Sequence, residues 1–346
     1  MIIAIAGAGT MGSGIAQLAC TSGAQTLLYD ALPGAAERGA ERVMEGLEGA
    51  RLRGKLSGDE VAAAWERVTA VDTLEALAPC DLVIEAAPES LTLNELSQEV
   101  ILDHNRKPRN FREIELFGAL TSGIVSDVCV LASNTSSIPI TAIAAGVPRP
   151  ERVIGMHFFN PAPVMKLMEL IAGLQSGAAA LALGRQVGEA MGRRVIDAAD
   201  GPGFLVNRCG RPFGLEALRA LQERLADVPT IDRIARLGGG FRMGPFELQD
   251  LVGIDTGFAV AQSFAELSFG EPRWRPSPLS ARMVAAGRFG RKTGQGWYRY
   301  EDGRAVRDPD PPAPEPGGGD DRVLAIGGAF EVVAATLHDL AAAAGG

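Results

Sequence analysis

Cysteine and histidine are scarce in this chain of 346 residues, which has four cysteines and three histidines. The cysteines are Cys20, Cys80, Cys129 and Cys209. They lie far apart and form neither a Cys-x-x-Cys pair nor a metal-ligand spacing. We therefore expect most of them to be reduced and buried, as is usual in the cytoplasm.

A surplus of positive charge and a long apolar run are also absent. The chain has 33 basic and 42 acidic residues, a net charge of −9. Nucleic acid is therefore not expected as the main partner, because binding its phosphates requires clustered Lys and Arg. No apolar stretch reaches the length of a membrane span. The apolar N-terminus lacks the preceding basic region of a signal peptide. We expect a soluble cytoplasmic protein of about two domains.

Three glycines near the N-terminus are the most informative residues present. The apolar run 1–6 predicts a strand. It is followed by Gly7, Gly9 and Gly12, and then by small residues over 13–21 that predict a helix. Gly7 permits a tight turn, Gly9 leaves room for a pyrophosphate, and Gly12 permits close packing of helix and strand. The N-terminus of the helix favours phosphate. This pattern predicts a dinucleotide-binding turn.

A second predicted strand, 26–30, ends in Asp30. A carboxylate at this position accepts hydrogen bonds from the adenosine ribose and repels a 2′-phosphate. No arginine follows within residues 31–33 to offset that repulsion. The sequence therefore favours NAD over NADP. A simpler alternative is that Asp30 is only a turn residue at the end of a strand.

Further short β-rich runs at 80–85, 127–132 and 152–156 alternate with helical stretches. This alternation predicts a parallel sheet built from right-handed βαβ units. The fold class is therefore α/β, a Rossmann-type doubly wound sheet over residues 1–199, followed by a smaller all-α domain over 200–305. Residues 306–346 are predicted to be a Pro/Gly-rich spacer with a tail helix.

Between the second and third predicted strands, residues 34–56 predict a helix with basic residues gathered at its end. Ser57 and Glu60 have the spacing of a capping box, which predicts that a second helix starts there. Such a basic cluster is usually a solvated surface, but Arg51 and Lys55 are candidates for contact with a phosphorylated ligand. They are therefore included among the substrate-binding candidates.

The second domain is expected to open with a helix near residue 204. Asp200 is predicted to cap that helix and Pro202 to lie in its first turn. A kink is expected at Gly210 and Pro212, because proline cannot supply the interior hydrogen bond.

Several longer motifs occur along the chain: AGAGTMGSGIAQ at the start, EAAPES at 85–90, SNTSS at 133–137, HFFNPAPVMKLMEL at 157–170, GPGFLVNR at 201–208, GFRMGPFELQDLVGID at 240–255 and GRKTGQGWY at 290–298. Together they resemble the 3-hydroxyacyl-CoA dehydrogenases, and within them the monofunctional 3-hydroxybutyryl-CoA type. The resemblance covers about residues 1–93 and 114–305. It implies a homodimer formed through the helical domain and an acyl-CoA substrate. The implied reaction is reversible oxidation of a 3-hydroxyacyl-CoA to the 3-oxoacyl-CoA with NAD, in fatty-acid β-oxidation or butanoate-type metabolism.

The resemblance also implies the site residues. Oxidation of an alcohol requires a base for the hydroxyl proton, and histidine is the usual base near neutral pH. His157 follows a predicted strand, and similarity to the family makes it the base, paired with Glu169. Ser136 and Asn207 match residues that bind the substrate oxygens. The implied cofactor set is Gly7, Gly9, Thr10, Met11, Gly12, Asp30, Glu89 and Asn134. No metal is required, because the hydride goes directly to NAD.

One segment departs from the family pattern. About twenty residues over 94–113 are extra by comparison with the family, and Pro108 prevents a continuous helix there. The family often has a lysine close to Asn94 that lines the cofactor and CoA pocket. The absence of this lysine puts normal cofactor or CoA affinity in doubt. Lys107 or Arg109 could substitute for it. The simpler interpretation of the segment is an exposed loop.

Three alternatives remain open at this stage. One is a dehydrogenase for another 3-hydroxy substrate on the same scaffold, such as 3-hydroxyadipyl-CoA or a small 3-hydroxy acid. A second is a 6-phosphogluconate-like β-hydroxyacid dehydrogenase, although those enzymes use a lysine where this chain has Asn207. A third is a non-catalytic NAD-binding protein of the crystallin type, against which the set of candidate catalytic residues counts.

Overall fold

The computed structural model describes residues 1–86, 111–121, 123–136 and 138–310. Its main feature is an eight-stranded sheet in the order β3-β2-β1-β4-β5-β6-β7-β8. The strands are β1 (Ile2–Ala6), β2 (Gln25–Tyr29), β3 (Val68–Val71), β4 (Leu82–Glu85), β5 (Val130–Ser133), β6 (Val153–Phe158), β7 (Leu167–Ala172) and β8 (Arg194–Ala199). Neighbouring strands are parallel, except that β6 and β7 are antiparallel.

Helices cover both faces of this sheet. They are α1 (Thr10–Thr21), α2 (Ala35–Leu52), α3 (Gly58–Trp65), α4 (Phe111–Thr121), α5 (Ile140–Ala145) and α6 (Ala178–Ala190). Successive side chains of a strand point to opposite faces. Accordingly, Ile3 and Ile5 pack in one apolar cluster with α1, whereas Ala4 belongs to a second cluster that contains Phe117 of α4. The predicted Rossmann-type doubly wound sheet is confirmed.

The strand order places the glycine turn at the edge where ligands bind in such sheets. β1 lies between β2 and β4, so the chain crosses to one side of β1 first and to the other side later. The crevice outside the carboxyl ends of the strands at this reversal is the usual ligand site of a doubly wound sheet. The turn from 7 to 9 and the ends of β4 and β5 all lie at this edge.

Local signals predicted some elements and misplaced others. The capping box that starts α3 is confirmed, since Ser57 Oγ accepts from the Glu60 N–H and Glu60 accepts from the Ser57 N–H. α2 ends at Leu52, earlier than predicted, before a turn in which Gly54 has a positive φ of 69°. Strands β3, β7 and β8 were not predicted.

Asp200 caps a helix, but a different one from the helix predicted. Its carboxylate accepts from the backbone N–H groups of Ile140 and Thr141 and from the Thr141 hydroxyl, at 2.6–2.8 Å. It therefore fixes the N-terminus of α5, 60 residues earlier in the chain. The following helix starts at Val206 without a side-chain cap.

The C-terminal domain is mainly helical. Its helices are α7 (Val206–Gln222), α8 (Val228–Arg233), α9 (Pro245–Val252), α10 (Ile254–Leu267) and α11 (Pro278–Ala285), with a π-helical turn at Ile234–Gly238. α7 continues through Pro212. The domain ends in a short antiparallel hairpin of β9 (Tyr300–Glu301) and β10 (Arg304–Ala305), so it is not purely helical.

Two buried carboxylates join the last two sequence motifs. Asp232 accepts from the Phe246 N–H and the Tyr298 hydroxyl, and Asp250 accepts from the Trp297 N–H and the Tyr300 hydroxyl. Burial raises the pKa of both Asp232 and Asp250, more than these hydrogen bonds lower it. The hydrogen bonds of Asp232 and Asp250 therefore join the motifs at 240–255 and 290–298 inside the helical domain.

Candidate active site

The glycine turn has the backbone that its sequence predicts. Gly7 has a positive φ of 108°, which favours glycine. A Cβ atom on Gly12 would lie 1.7 Å from the Gly7 carbonyl oxygen, so close packing of helix and strand requires glycine there. A Cβ atom on Gly9 would meet nothing within 4 Å. The fold itself therefore does not require glycine at position 9, and the open space beside it is available to a ligand.

Asp30 belongs to the same corner of the site. Its Oδ2 accepts from the Ala8 N–H at 2.7 Å, and its Oδ1 accepts from the Leu32 N–H at 3.0 Å. The carboxylate therefore holds the glycine turn against the end of β2. Each oxygen retains a further lone pair for a ligand hydroxyl. The other candidates in the turn, Thr10 and Met11, are the first two residues of α1, whose N-terminal N–H groups have no partner within the helix.

His157 and Glu169 are brought together by the sheet. They face each other across the antiparallel pair β6–β7, and His157 Nδ1 lies 2.6 Å from Glu169 Oε2. Both are buried, with exposed fractions of 5% and 0%. The rings of Phe159 and Phe204 pack against the imidazole at centroid distances of 4.6 and 5.6 Å.

The second oxygen of Glu169 connects the sheet to the helical domain. Oε1 accepts from the backbone N–H groups of Leu205 and Val206, at 2.9 and 2.8 Å, where α7 begins. Burial alone would raise the pKa of Glu169. The hydrogen bonds from His157 and from these two N–H groups outweigh burial and hold the pKa below its usual value of 4.5. The carboxylate is therefore ionised at neutral pH and acts only as an acceptor.

The loop after β5 lies beside His157. The Asn134 side-chain oxygen accepts from the Phe158 N–H at 2.8 Å, which ties this loop to the end of β6. Ser136 is half-buried two residues further along the loop. Asn207 is half-buried in the first turn of α7, next to Val206, and lines a cavity in the helical domain. The segments that carry Ser136 and Asn207 are thus joined to the strand of His157 and to Glu169 through their neighbours Asn134 and Val206.

Two predicted residues of the described part of the chain, Arg51 and Lys55, form no hydrogen bond or ion pair with His157 or Glu169. Arg51 is exposed and forms an ion pair with Glu48 at 2.7 Å on the same helix. Lys55 is exposed in the turn after α2. Glu89, and the segment 94–113 except for its last three residues, lie outside the described residues.

Some residues that shape the site were missed by the sequence analysis. Glu85, at the end of β4, is buried and accepts from the Ser133 hydroxyl at 2.8 Å, which joins the ends of β4 and β5. A carboxylate directly after an apolar strand run was the available signal. Phe204 and the N–H groups of Leu205 and Val206 could not be identified, because their role depends on the packing of two domains.

Within the described residues, no group of three or more His, Cys, Asp or Glu side chains is arranged to hold a metal ion. Among the helices of the same residues, none is both long enough and apolar enough to cross a membrane. Three of the four cysteines are buried, as expected: Cys20, Cys80 and Cys129. Burial raises the pKa of each of these thiols, to about 11 for Cys20 and Cys129. Cys209 is exposed.

The doubly wound sheet and its glycine turn define the class of the protein, one with a dinucleotide-binding Rossmann-type domain. Comparison with known families gives the particular family. Residues 2–106 and 113–201 match the 3-hydroxyacyl-CoA dehydrogenase NAD-binding domain, and residues 203–300 match the C-terminal domain of the same family. The chain belongs to the 3-hydroxyacyl-CoA dehydrogenase family, and its cofactor is NAD.

Individual relatives agree with this assignment. The chain is 40% identical to a 3-hydroxyadipyl-CoA dehydrogenase of Escherichia coli over 88% of its own length, and it spans 60% of that protein. It is 38% identical to a probable 3-hydroxybutyryl-CoA dehydrogenase of Bacillus subtilis, over 87% of this chain and 97% of the relative. The structure of (S)-3-hydroxybutyryl-CoA dehydrogenase from Ralstonia eutropha superposes with a TM-score of 0.78 at 37% identity, over 87% of this chain and 99% of the other.

Proposed function

We propose that the protein catalyses the reversible NAD-dependent oxidation of a 3-hydroxyacyl-CoA to the 3-oxoacyl-CoA, with His157 as the base. The observation that carries this proposal is the buried contact of 2.6 Å between His157 Nδ1 and Glu169 Oε2. An ionised carboxylate cannot donate, so Nδ1 carries the hydrogen and donates it to Glu169. In the neutral imidazole with this tautomer, the other ring nitrogen, Nε2, has a free lone pair that accepts the substrate hydroxyl proton.

Glu169 is a positioning residue in this proposal. It selects the tautomer of His157 and stabilises the imidazolium that forms when Nε2 takes the proton. Its own orientation is fixed by the N–H groups of Leu205 and Val206, which also carry the partial positive charge of a helix N-terminus. The base is therefore assembled from both domains. Ser136 and Asn207, on the two segments beside the pair, donate to the substrate oxygens that gain negative charge.

The residues of the glycine turn fit NAD. The open space beside Gly9 suits close approach of a pyrophosphate, and the N-terminus of α1 at Thr10 and Met11 favours its charge. Asp30 is positioned at the end of β2 for the adenosine ribose, and Asn134 and Glu89 complete the proposed cofactor set. When bound, NAD supplies the acceptor for the hydride that leaves C3 of the substrate.

Several further properties belong to the same proposal. Exposed apolar side chains of Ile234, Leu237 and Phe241 support a homodimer formed through the helical domain. Arg51 and Lys55 remain candidates for binding the CoA phosphates. The proposal also includes a domain boundary at 199/200. It assigns the protein a role in fatty-acid or butanoate-type metabolism in the cytoplasm. Light scattering on the purified protein tests the dimer, and a monomer at micromolar concentration would contradict it.

The decisive test of the reaction is direct. Purified protein is mixed with NAD and a series of (S)-3-hydroxyacyl-CoA thioesters, and NADH formation is followed by absorbance. We expect turnover that depends on His157, and the reverse reaction with 3-oxoacyl-CoA and NADH. Binding of NADH without turnover of any thioester would instead support the non-catalytic alternative.

A further inference from the structure

A cavity of about 380 Å³ in the helical domain begins beside the candidate active site. Val206 and Asn207 line it at the N-terminal turn of α7, and the Val206 N–H is one of the two that hold Glu169. From there the cavity runs between α7 and α10, and most of its lining is apolar, including Leu218, Val260 and Phe264. A substrate oxygen at Asn207 would therefore have its acyl chain directed along α7.

Arg211 is the one charged residue among those that line this cavity in the described part of the chain. It follows Asn207 by four residues, about 6 Å or one helical turn along the same side of α7. Its Nε is buried and has no hydrogen-bond partner, and no acidic side chain of the described residues forms an ion pair with it. Burial lowers the pKa of Arg211 to about 10, so the guanidinium remains charged at neutral pH.

Gln249 supplies a second donor without an acceptor. The Trp297 indole N–H donates to Gln249 Oε1 at 3.2 Å, which fixes the orientation of the amide. The amide nitrogen Nε2 is buried and has no partner, and it lies 3.7 Å from the position of a Cβ atom on Gly214, three residues after Arg211 on α7. Arg211 and Gln249 thus present unsatisfied N–H groups to one region of an apolar cavity.

Such an arrangement is costly unless an acceptor completes it. The guanidinium of half-buried Arg211 lies over the Phe264 ring, 4.5 Å from its centroid, which partly compensates its charge but supplies no acceptor for the buried Nε–H. A buried donor without an acceptor carries a desolvation cost. The guanidinium geometry matches a carboxylate, which can accept two parallel hydrogen bonds. The phosphates of CoA fit less well, since they carry several negative charges and the cavity lining offers one cation.

We propose that Arg211 and Gln249 bind a carboxylate at the far end of the acyl chain. The substrate class is then a 3-hydroxyacyl-CoA whose acyl group is a short dicarboxylic acid, with its methylene groups against the apolar lining. This inference rests on the proposed function. It adds a specificity-determining contact that lies away from the reacting carbon.

The test compares two substrates of equal chain length, 3-hydroxyadipyl-CoA and 3-hydroxyhexanoyl-CoA. We expect kcat/KM to be about 10- to 100-fold higher for the substrate with the carboxylate, the usual worth of hydrogen bonds to a charged group. Arg211→Met should abolish this preference and leave turnover of 3-hydroxyhexanoyl-CoA within a few-fold of the unmodified protein. Arg219→Met is the matched control, because Arg219 is an exposed arginine on the same helix. It should retain the preference.

A binding measurement separates this inference from the proposed reaction. Adipyl-CoA and hexanoyl-CoA lack the hydroxyl group, so calorimetry reports their affinity whether or not the protein is a dehydrogenase. We expect tighter binding of adipyl-CoA, lost in Arg211→Met and partly kept in Arg211→Lys, which also serves if the methionine variant does not fold. Equal affinity of the unmodified protein for the two thioesters, or equal effects of Arg211→Met on both, would overturn the inference. Absence of NADH formation with either hydroxy substrate would count against the reaction alone.

Discussion

His157 and Glu169 occupy directly opposed positions on two antiparallel strands, and their side chains meet at 2.6 Å in a buried environment. Antiparallel pairing makes this contact independent of loop conformation, because the register of β6 and β7 fixes the separation of the two Cβ atoms. The third component, the start of α7, is provided by the helical domain. The relative position of the two domains therefore controls the orientation of the proposed base.

The first prediction concerns the base itself. His157→Ala should lower kcat by about 10²–10⁴, because general base catalysis typically contributes that much. Binding of NADH, measured by fluorescence, should remain near that of the unmodified protein, since His157 is not in the glycine turn. Near-normal turnover by this variant would show that His157 is not the base.

A second prediction follows from the tautomer that Glu169 selects. In Glu169→Gln, the amide N–H₂ can donate to Nδ1, which favours the hydrogen on Nε2 and blocks that nitrogen as a base. We expect kcat to fall by about 10²–10⁴ while NADH affinity changes little. Glu151→Gln is the control, because Glu151 is an exposed glutamate paired with Arg149 at the surface. Equal kinetic effects of the two substitutions would show that Glu169 does not position the base.

The stability of the protein should depend on pH through the same carboxylate. The pKa of Glu169 in the folded protein lies below its usual value of 4.5, because the hydrogen bonds that it accepts outweigh burial. A group with a lowered folded-state pKa stabilises the fold fully above its unfolded pKa, and this contribution is lost as the pH falls through the folded pKa. The melting-temperature difference between the unmodified protein and Glu169→Gln should therefore be constant near neutral pH and shrink below pH 4.5. Melting curves that stay parallel down to pH 3 would contradict this expectation.

The parts of the fold and site that could be predicted from the sequence are those specified by residues close together in the chain. The glycine turn is specified by three residues within six positions, so β1, α1 and the NAD-binding class followed from the sequence. β7 was missed because Glu169 interrupts an otherwise apolar run, and only the resemblance to a family marked that residue. The contacts of Glu169 with Leu205 and Val206, and the joint exposure of Arg211 and Gln249 to one cavity, depend on packing between distant segments.

The cofactor preference provides a test of Asp30. The unmodified protein should use NAD with a higher kcat/KM than NADP, because the carboxylate repels the 2′-phosphate. Asp30→Ser should reduce that preference. Since Asp30 also accepts from the Ala8 and Leu32 N–H groups, the variant should have a somewhat lower melting temperature as well. Equal use of the two cofactors by the unmodified protein would show that Asp30 only holds the turn.

Two alanine substitutions in the glycine turn should separate binding of the cofactor from stability of the fold. In Gly12→Ala the new Cβ would meet the Gly7 carbonyl oxygen at 1.7 Å, so the backbone must shift. We expect a loss of about 3 kcal/mol or more of unfolding free energy, the upper range for overpacking. In Gly9→Ala the new Cβ meets nothing within 4 Å, and the φ of −68° is accessible to alanine. The melting temperature should therefore be nearly unchanged while the Kd for NADH rises, because the methyl group occupies the space proposed for the pyrophosphate. Calorimetry of both variants measures the melting temperature, and titration with NADH measures the Kd. Unchanged NADH affinity in a folded Gly9→Ala protein would show that the pyrophosphate does not bind at this turn.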